Sequence, residues 1–248
     1  MTLLYDGSFE GFLTAVYDAF YRRGADGPNE AATIKKADNG QLDLCETAVV
    51  ETSGEKSEKV TAAIEQKLGQ GLIQTIYKAW MCEEDGIEDA LLHYLRVGFR
   101  QKRNPADMLY DRDIKAVLSA AGRVGAEAGK FVALLRFHKV GEGSYLADIE
   151  PIFRILPLVA DHFADRFGDQ MFVIRDLRHR MAVVYDLTEW YMTELSEEEC
   201  VPYTGRDEYV ALWKTYYKTI CIKERRNLKL QQHFIPKKWR KHLVEMQP

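Results

Sequence analysis

The apolar residues of this chain change period partway along it, and that change constrains the class of fold more than any other feature. Phe9, Phe12, Leu13, Val16, Tyr17 and Phe20 recur at helical intervals behind Ser8, an N-cap residue. They predict a helix over 9–22, ended by Gly24, Gly27 and Pro28. A further helix is predicted after Ser53, its cap, with Val60, Ile64 and Leu68 among its apolar positions, then others over 72–81 and 86–100. A long one follows over 106–131 despite Gly122, Gly125 and Gly129. Two short strands, TLLYDG and TAVVETS, interrupt this half, and the polar stretch 26–44 has no clear period. Past Phe131 the texture shifts to short runs rich in β-branched and aromatic residues: ALLRFHKV, SYLADIEP, MFVIRD, MAVVYD and TEWYMTE. A helix over 156–167 separates the second run from the third, and residues 177–180 suit a hairpin turn. Helices over 208–221 and from Pro236 onward close the chain. The expected class is α+β, with a helical N-terminal half packed with an antiparallel-rich sheet and flanking helices in the C-terminal half. Asn104-Pro105 divides a mainly helical subdomain, 1–104, from an α+β subdomain with a basic tail, 105–248.

At 248 residues, 46% hydrophobic and 29% charged, the chain has the composition of a soluble globular protein with a full core. No run approaches the roughly 20 apolar residues of a membrane span, and the start has no signal-like apolar stretch, so a cytoplasmic location and no membrane partner are expected. Cys45, Cys82, Cys200 and Cys221 lie far apart in sequence, which argues against a local zinc or iron–sulfur loop and against a disulfide framework. No metal and no cofactor are expected in this chain.

Charge is unevenly spread. The window KERRNLKLQQHFIPKKWRKH, 223–242, carries +7 in a chain of net −4, so the remainder carries −11. Lys223, Arg225, Arg226, Lys229, Lys237, Lys238, Arg240 and Lys241 can neutralise phosphates, and Phe234 and Trp239 among them can stack on bases or anchor the tail. That is the footprint of a nucleic-acid-binding segment; a solvated amphipathic tail helix has the same composition. Arg175, Arg178 and Arg180, around the expected hairpin turn, form a secondary basic cluster that serves either as a solvated turn or as a second phosphate contact.

Catalytic signatures are sparse. The glycines of GQG (69–71) and GAEAGKF (125–131) lack the strand–loop–helix setting of a phosphate cradle. Asp161, His162 and Asp165 fall within about one helical turn and are the weak candidates for catalysis; surface or packing roles suit them as well. Glu150 and Asp186 end strands, where carboxylates line sites or serve as turn residues.

The order of several segments resembles a family. YDGSFEGFLTAVYDAF, EDGIEDALLHYLRVGF, RVGAEAGKFVALLRF, IEPIFRILPLVADHFADRF and the terminal LWKTYYKTICIKERRNLKLQQHFIPKKWRKHL are similar to the matching parts of bacterial proteins labelled as probable DNA metabolism proteins. The match covers nearly the whole chain. The resemblance implies genomic proximity to a radical SAM protein that modifies or repairs DNA and, in some members, fusion to a uracil-DNA-glycosylase-like domain. This chain has no CxxxCxxC, so the iron–sulfur cluster and SAM are expected in the partner only. Where the family's middle segment carries a histidine before a Lys-Phe pair, this chain has Gly129. The leading expectation is a nucleic-acid-binding accessory protein in DNA repair or modification, with DNA preferred over RNA, acting with a radical SAM partner. The alternatives are a DNA- or RNA-processing enzyme with an unrecognised site, or a protein–protein adaptor.

Overall fold

A computed structural model describes residues 1–21, 23–24, 27–28, 32–37, 46–203 and 243. The chain forms two compact units, Met1–Gly125 and Ala126–Pro248.

In the first unit, β1 (Thr2–Tyr5) leads into α1 (Phe9–Tyr21). A two-residue hairpin follows, β2 (Arg23–Gly24) with β3 (Gly27–Pro28), and then β4 (Thr33–Lys36) and β5 (Thr47–Val49). Three helices come next: α2 (Gly54–Leu68), α3 (Leu72–Trp80) and α4 (Ile87–Gln101). A short 3₁₀ turn, Pro105–Asp107, precedes α5 (Arg112–Leu134), which contains the boundary between the units. The strands make a three-stranded parallel sheet in the order β4-β1-β5. Parallel neighbours need long crossovers, and here α1 supplies much of the first. Leu3 and Tyr5 of the central strand and Ile34 of β4 are buried, α1 packs on α2, and α4 lies against β4.

The aperiodic stretch thus contains a strand. Thr-Ile-Lys-Lys offers a single buried apolar residue, Ile34, so no alternation marks it in the sequence; its pairing to β1 from Thr2↔Thr33 to Tyr5↔Lys36 makes it a strand. The long helix starts six residues later than its glycine-tolerant pattern suggests. Asn104 accepts the Ala106 N–H through its side chain and holds a separate turn, and Asp111 then accepts the N–H groups of Asp113 and Ile114 to start α5. Along α5, Ile114, Val117, Ala121, Val124, Ala128 and Phe131 are buried at three- and four-residue intervals, while Gly122 and Gly129 face solvent.

The second unit continues with β6 (His138–Gly141), β7 (Ser144–Ile149), α6 (Leu156–Arg166), β8 (Met171–Asp176), β9 (Met181–Tyr185) and β10 (Trp190–Glu194). These strands form one mixed sheet in the order β10-β9-β8-β7-β6. Three pairings are antiparallel, and β7–β8 is parallel across the α6 crossover. α6 packs on β9 and β10, and Phe137 meets Phe163, Phe167 and Phe172 at ring separations of 5.2–5.7 Å. The architecture is the expected one: helices dominate the N-terminal half, and an antiparallel-rich sheet with its helix occupies the C-terminal half. The expected helices at 208–221 and after Pro236 lie outside the described residues. No helix among the described residues is long and apolar enough to cross a membrane.

Candidate nucleic-acid interface

Helix α1 carries two sets of apolar residues. Phe12, Val16 and Ala19 are buried, while Tyr17, Phe20 and Tyr21 turn toward α2 and the end of α4. Beside them, α2 presents Lys59, Ala63 and Lys67 at four-residue spacing, one turn apart on a single face. Phe99 near the end of α4 and Lys102, which terminates that helix in the left-handed region at φ 54°, complete the rim. Together they line a groove of about 830 Å³ within the first unit.

The rings are arranged in pairs. Tyr17 and Tyr21 lie 4.5 Å apart and tilted by 31°, and Phe20 meets Phe99 edge-on at 5.4 Å. Tyr21 is 72% exposed. Cations sit over these rings: Lys56 Nζ lies 5.7 Å from the Tyr17 centroid and Lys67 Nζ 6.0 Å from that of Phe99. Lys56 also pairs with Asp18 at 2.7 Å, and Lys59 with Glu55 one turn away. An aromatic floor edged by lysines can stack bases and hold phosphates at once.

The basic residues singled out in the sequence fall in different places. Lys223, Arg225, Arg226, Lys229, Lys237, Lys238, Trp239, Arg240 and Lys241, with Phe234, lie outside the described residues. Arg175 is spent inside the fold. Its guanidinium grips both carboxylate oxygens of Asp148, at 2.7 and 2.9 Å, and donates to the carbonyls of Glu199 and Val201. Arg180 pairs with exposed Glu197 at 3.2 Å, and Arg178 is exposed. The turn that carries them is organised by Asp176, only 1% exposed, which accepts the N–H groups of Arg178 and His179 and contacts His179 Nδ1 at 2.6 Å.

Asp161 and Asp165 are exposed on α6, and His162 is half-buried with its ring edge-on to Phe163. Asp161 accepts the Trp190 indole N–H at 2.8 Å, a link from α6 to β10. Asp186 is a turn residue: it accepts the N–H groups of Thr188 and Glu189, and these hold its carboxyl below the usual range. Among the described residues, the side chains gathered closely enough to hold a metal ion are instead His93, Asp111 and Asp113, with ligating atoms within 4.8 Å of one another. This group has an architectural role already, since Asp111 caps α5 and meets His93 Nε2 at 2.9 Å. The hydrogen bond to His93 holds the Asp111 carboxyl below its ordinary value.

Reading the sequence did not find the groove. Tyr17 and Tyr21, and Lys59 and Lys67, are visible as same-face pairs on their own helices, but only the packing of α1, α2 and α4 brings the faces together.

Comparison with known proteins places the chain in a family. No curated protein and no solved structure matches it. A family model described as a domain of unknown function, DUF4130, matches residues 85–245, more than half of the chain. The chain therefore belongs to the DUF4130 family.

Proposed function

We propose that this protein is a nucleic-acid-binding accessory factor in DNA repair or modification, acting in the cytoplasm beside a radical SAM enzyme that carries the iron–sulfur cluster and SAM. The observation that supports it is the lysine-edged aromatic groove on α1, α2 and α4. Lysine-edged rings of this kind suit unstacked bases, so the ligand is single-stranded; the family resemblance puts DNA before RNA. The +7 window at 223–242 adds the charge to hold the backbone. The radical SAM partner, and kinship with proteins fused to a uracil-DNA-glycosylase-like domain, come from the family resemblance. The enzyme reading gains nothing from the positions of Asp161, His162 and Asp165. The adaptor reading is kept as an outcome of the test.

The test is a fluorescence-anisotropy titration of labelled single-stranded DNA, duplex DNA and RNA at several salt concentrations. Tyr21→Ala is expected to weaken single-strand binding roughly tenfold, the size of one lost base-stacking contact. Neutralisation of eight phosphates by the tail gives a log–log salt slope of about −6 for a single strand. Binding that is absent at low salt, or indifferent to Tyr21→Ala and Lys67→Ala together, overturns the proposal. In that event, co-purification with the radical SAM protein would favour the adaptor.

A further inference from the structure

A second cavity, of about 790 Å³, opens in the first unit at the carboxyl ends of β1 and β4. Parallel sheets characteristically bind ligands at this end of their strands. The adjoining crevice between β1 and β5 is already filled. There Asp6 accepts from the Ser8 N–H, the Ser8 hydroxyl and the Thr52 hydroxyl, at 2.6–2.9 Å. The open space lies on the β4 side, bounded by Tyr5, Lys36, Trp80, the 83–86 connection and Glu88 in the first turn of α4.

Its chemistry is specific. The Trp80 indole N–H donates to the Tyr5 hydroxyl at 3.0 Å, and that hydroxyl donates to Glu88 Oε1 at 3.1 Å. The relay runs from half-buried Trp80 through the buried Tyr5 hydroxyl to Glu88, which is half-buried at the cavity wall. The lining holds four carboxylates, Glu83, Glu84, Asp85 and Glu88, against two lysines, Lys35 and Lys36. Lys36 is paired with Glu83 at 3.3 Å, and Arg123 clamps Glu84. Lys35 acts on Asp89. Glu88 and Asp85 supply the remaining negative charge. Burial is the largest influence on Glu88 and raises its carboxyl above the ordinary value; Asp89 adds to this and Lys36 opposes it.

We propose that this cavity binds an organic cation, an ammonium or guanidinium head seated against the half-buried ring of Trp80 and paired with Glu88. Aromatic faces attract such cations, and a partly desolvated carboxylate gains most from them. A hydrated divalent ion makes no use of the Trp80 ring. The proposal is independent of the nucleic-acid reading, because it involves neither the groove nor the tail.

Sign and pH follow from the geometry. Glu88 must be ionised to pair, so affinity rises with pH through its titration. The other groups around it are the Tyr5 hydroxyl, Lys36, Asp89, Glu83 across the cavity and the buried Cys82 thiol, which burial keeps protonated.

The experiment is calorimetric titration of the full chain with agmatine and spermidine, with magnesium chloride at matched ionic strength as control, at steps from pH 4, below the ordinary glutamate value, to pH 8. Saturable binding of the amines that tightens with pH is expected. Glu88→Gln, which keeps an acceptor for Tyr5, is expected to weaken it about tenfold and to abolish the pH dependence. Asp85→Asn, at an exposed position, gives a smaller loss and guards against misfolding of the first variant. Trp80→Phe retains a ring and lowers affinity only modestly. The inference is overturned if no saturable binding occurs, if magnesium competes as well as the amines, or if Glu88→Gln binds like the wild type.

Discussion

Glycine-to-alanine substitutions at two helical positions of the first unit should have opposite effects. Gly11 is buried in the first turn of α1, and a Cβ there would lie 2.2 Å from Asp6 Oδ1 and 2.9 Å from Thr52 Oγ1. Asp6 cannot stay in place with that methyl present, so its three bonds to Ser8 and Thr52 are at stake. Asp6 is exposed, so each bond is assigned about 0.5–1.5 kcal/mol, a gross loss of about 1.5–4.5 kcal/mol. Alanine returns about 1 kcal/mol of helix propensity, leaving a net loss of roughly 0.5–3.5 kcal/mol. Gly122, inside α5, has nothing within 4 Å of its added Cβ, so Gly122→Ala keeps the whole propensity gain of about 0.5–1 kcal/mol. Thermal unfolding followed by circular dichroism should show Gly11→Ala melting roughly 1–14 °C below wild type and Gly122→Ala a few degrees above it. A double-mutant cycle isolates the cause. In an Asp6→Ala background the closest clash partner is gone, so Gly11→Ala should cost little or even stabilise. If Gly11→Ala melts at or above wild type, or if its cost persists undiminished beside Asp6→Ala, the close approach of α1 to the β1–β5 crevice is not what holds glycine there.

Asp148→Ala should destabilise the second unit by about 3–5 kcal/mol, since it strands the Arg175 guanidinium in a site where both partners are mostly buried. The Tyr203 N–H loses its acceptor too, so limited proteolysis should find new cleavage near residues 199–203. Glu127→Ala removes the acceptor shared by the Ile152 and Phe153 N–H groups and should cost about 2–4 kcal/mol in urea unfolding. Glu88 is raised in the folded state, so the stability it lends is present below its unfolded value near 4.5 and is lost as pH rises through the higher folded value. Glu88→Gln should therefore gain on wild type with rising pH across that window, and a flat difference between pH 4 and pH 8 would contradict the assignment.

Elements with a strong period of their own were legible in the sequence. α1 and α3 end within a residue of their expected limits, and β7 to β10 lie in the runs that alternate or are β-branched; the first run is divided, its Ala133 and Leu134 ending α5, which passes its expected end at Phe131, and β6 beginning only at His138. β4 was hidden because a four-residue strand with one buried side chain carries almost no pattern. Its evidence is a partner strand some 30 residues away. The start of α5 was misplaced because the helical period runs on through a stretch where Asn104 and Asp111 redirect backbone N–H groups to side chains. Arg175 illustrates the general difficulty with sites. Its cluster with Arg178 and Arg180 reads as one basic patch, but alternation along β8 and the turn after it sends the three side chains to different surroundings. Charge is a property of composition; the partner that consumes it is set by tertiary structure.

The strand nearest the amino end, β1, is the middle member of a parallel sheet. Its backbone bonds reach across to both neighbours: the Thr33 N–H donates to the Met1 carbonyl, the Thr2 N–H to the Glu46 carbonyl, and the Val50 N–H to the Leu4 carbonyl. During synthesis these few residues emerge before either partner strand, and they cannot pair until the segment through residue 50 has followed them out of the ribosome. Loop closure thus precedes any reward from the sheet, and the first unit is expected to assemble late relative to the appearance of its own central strand.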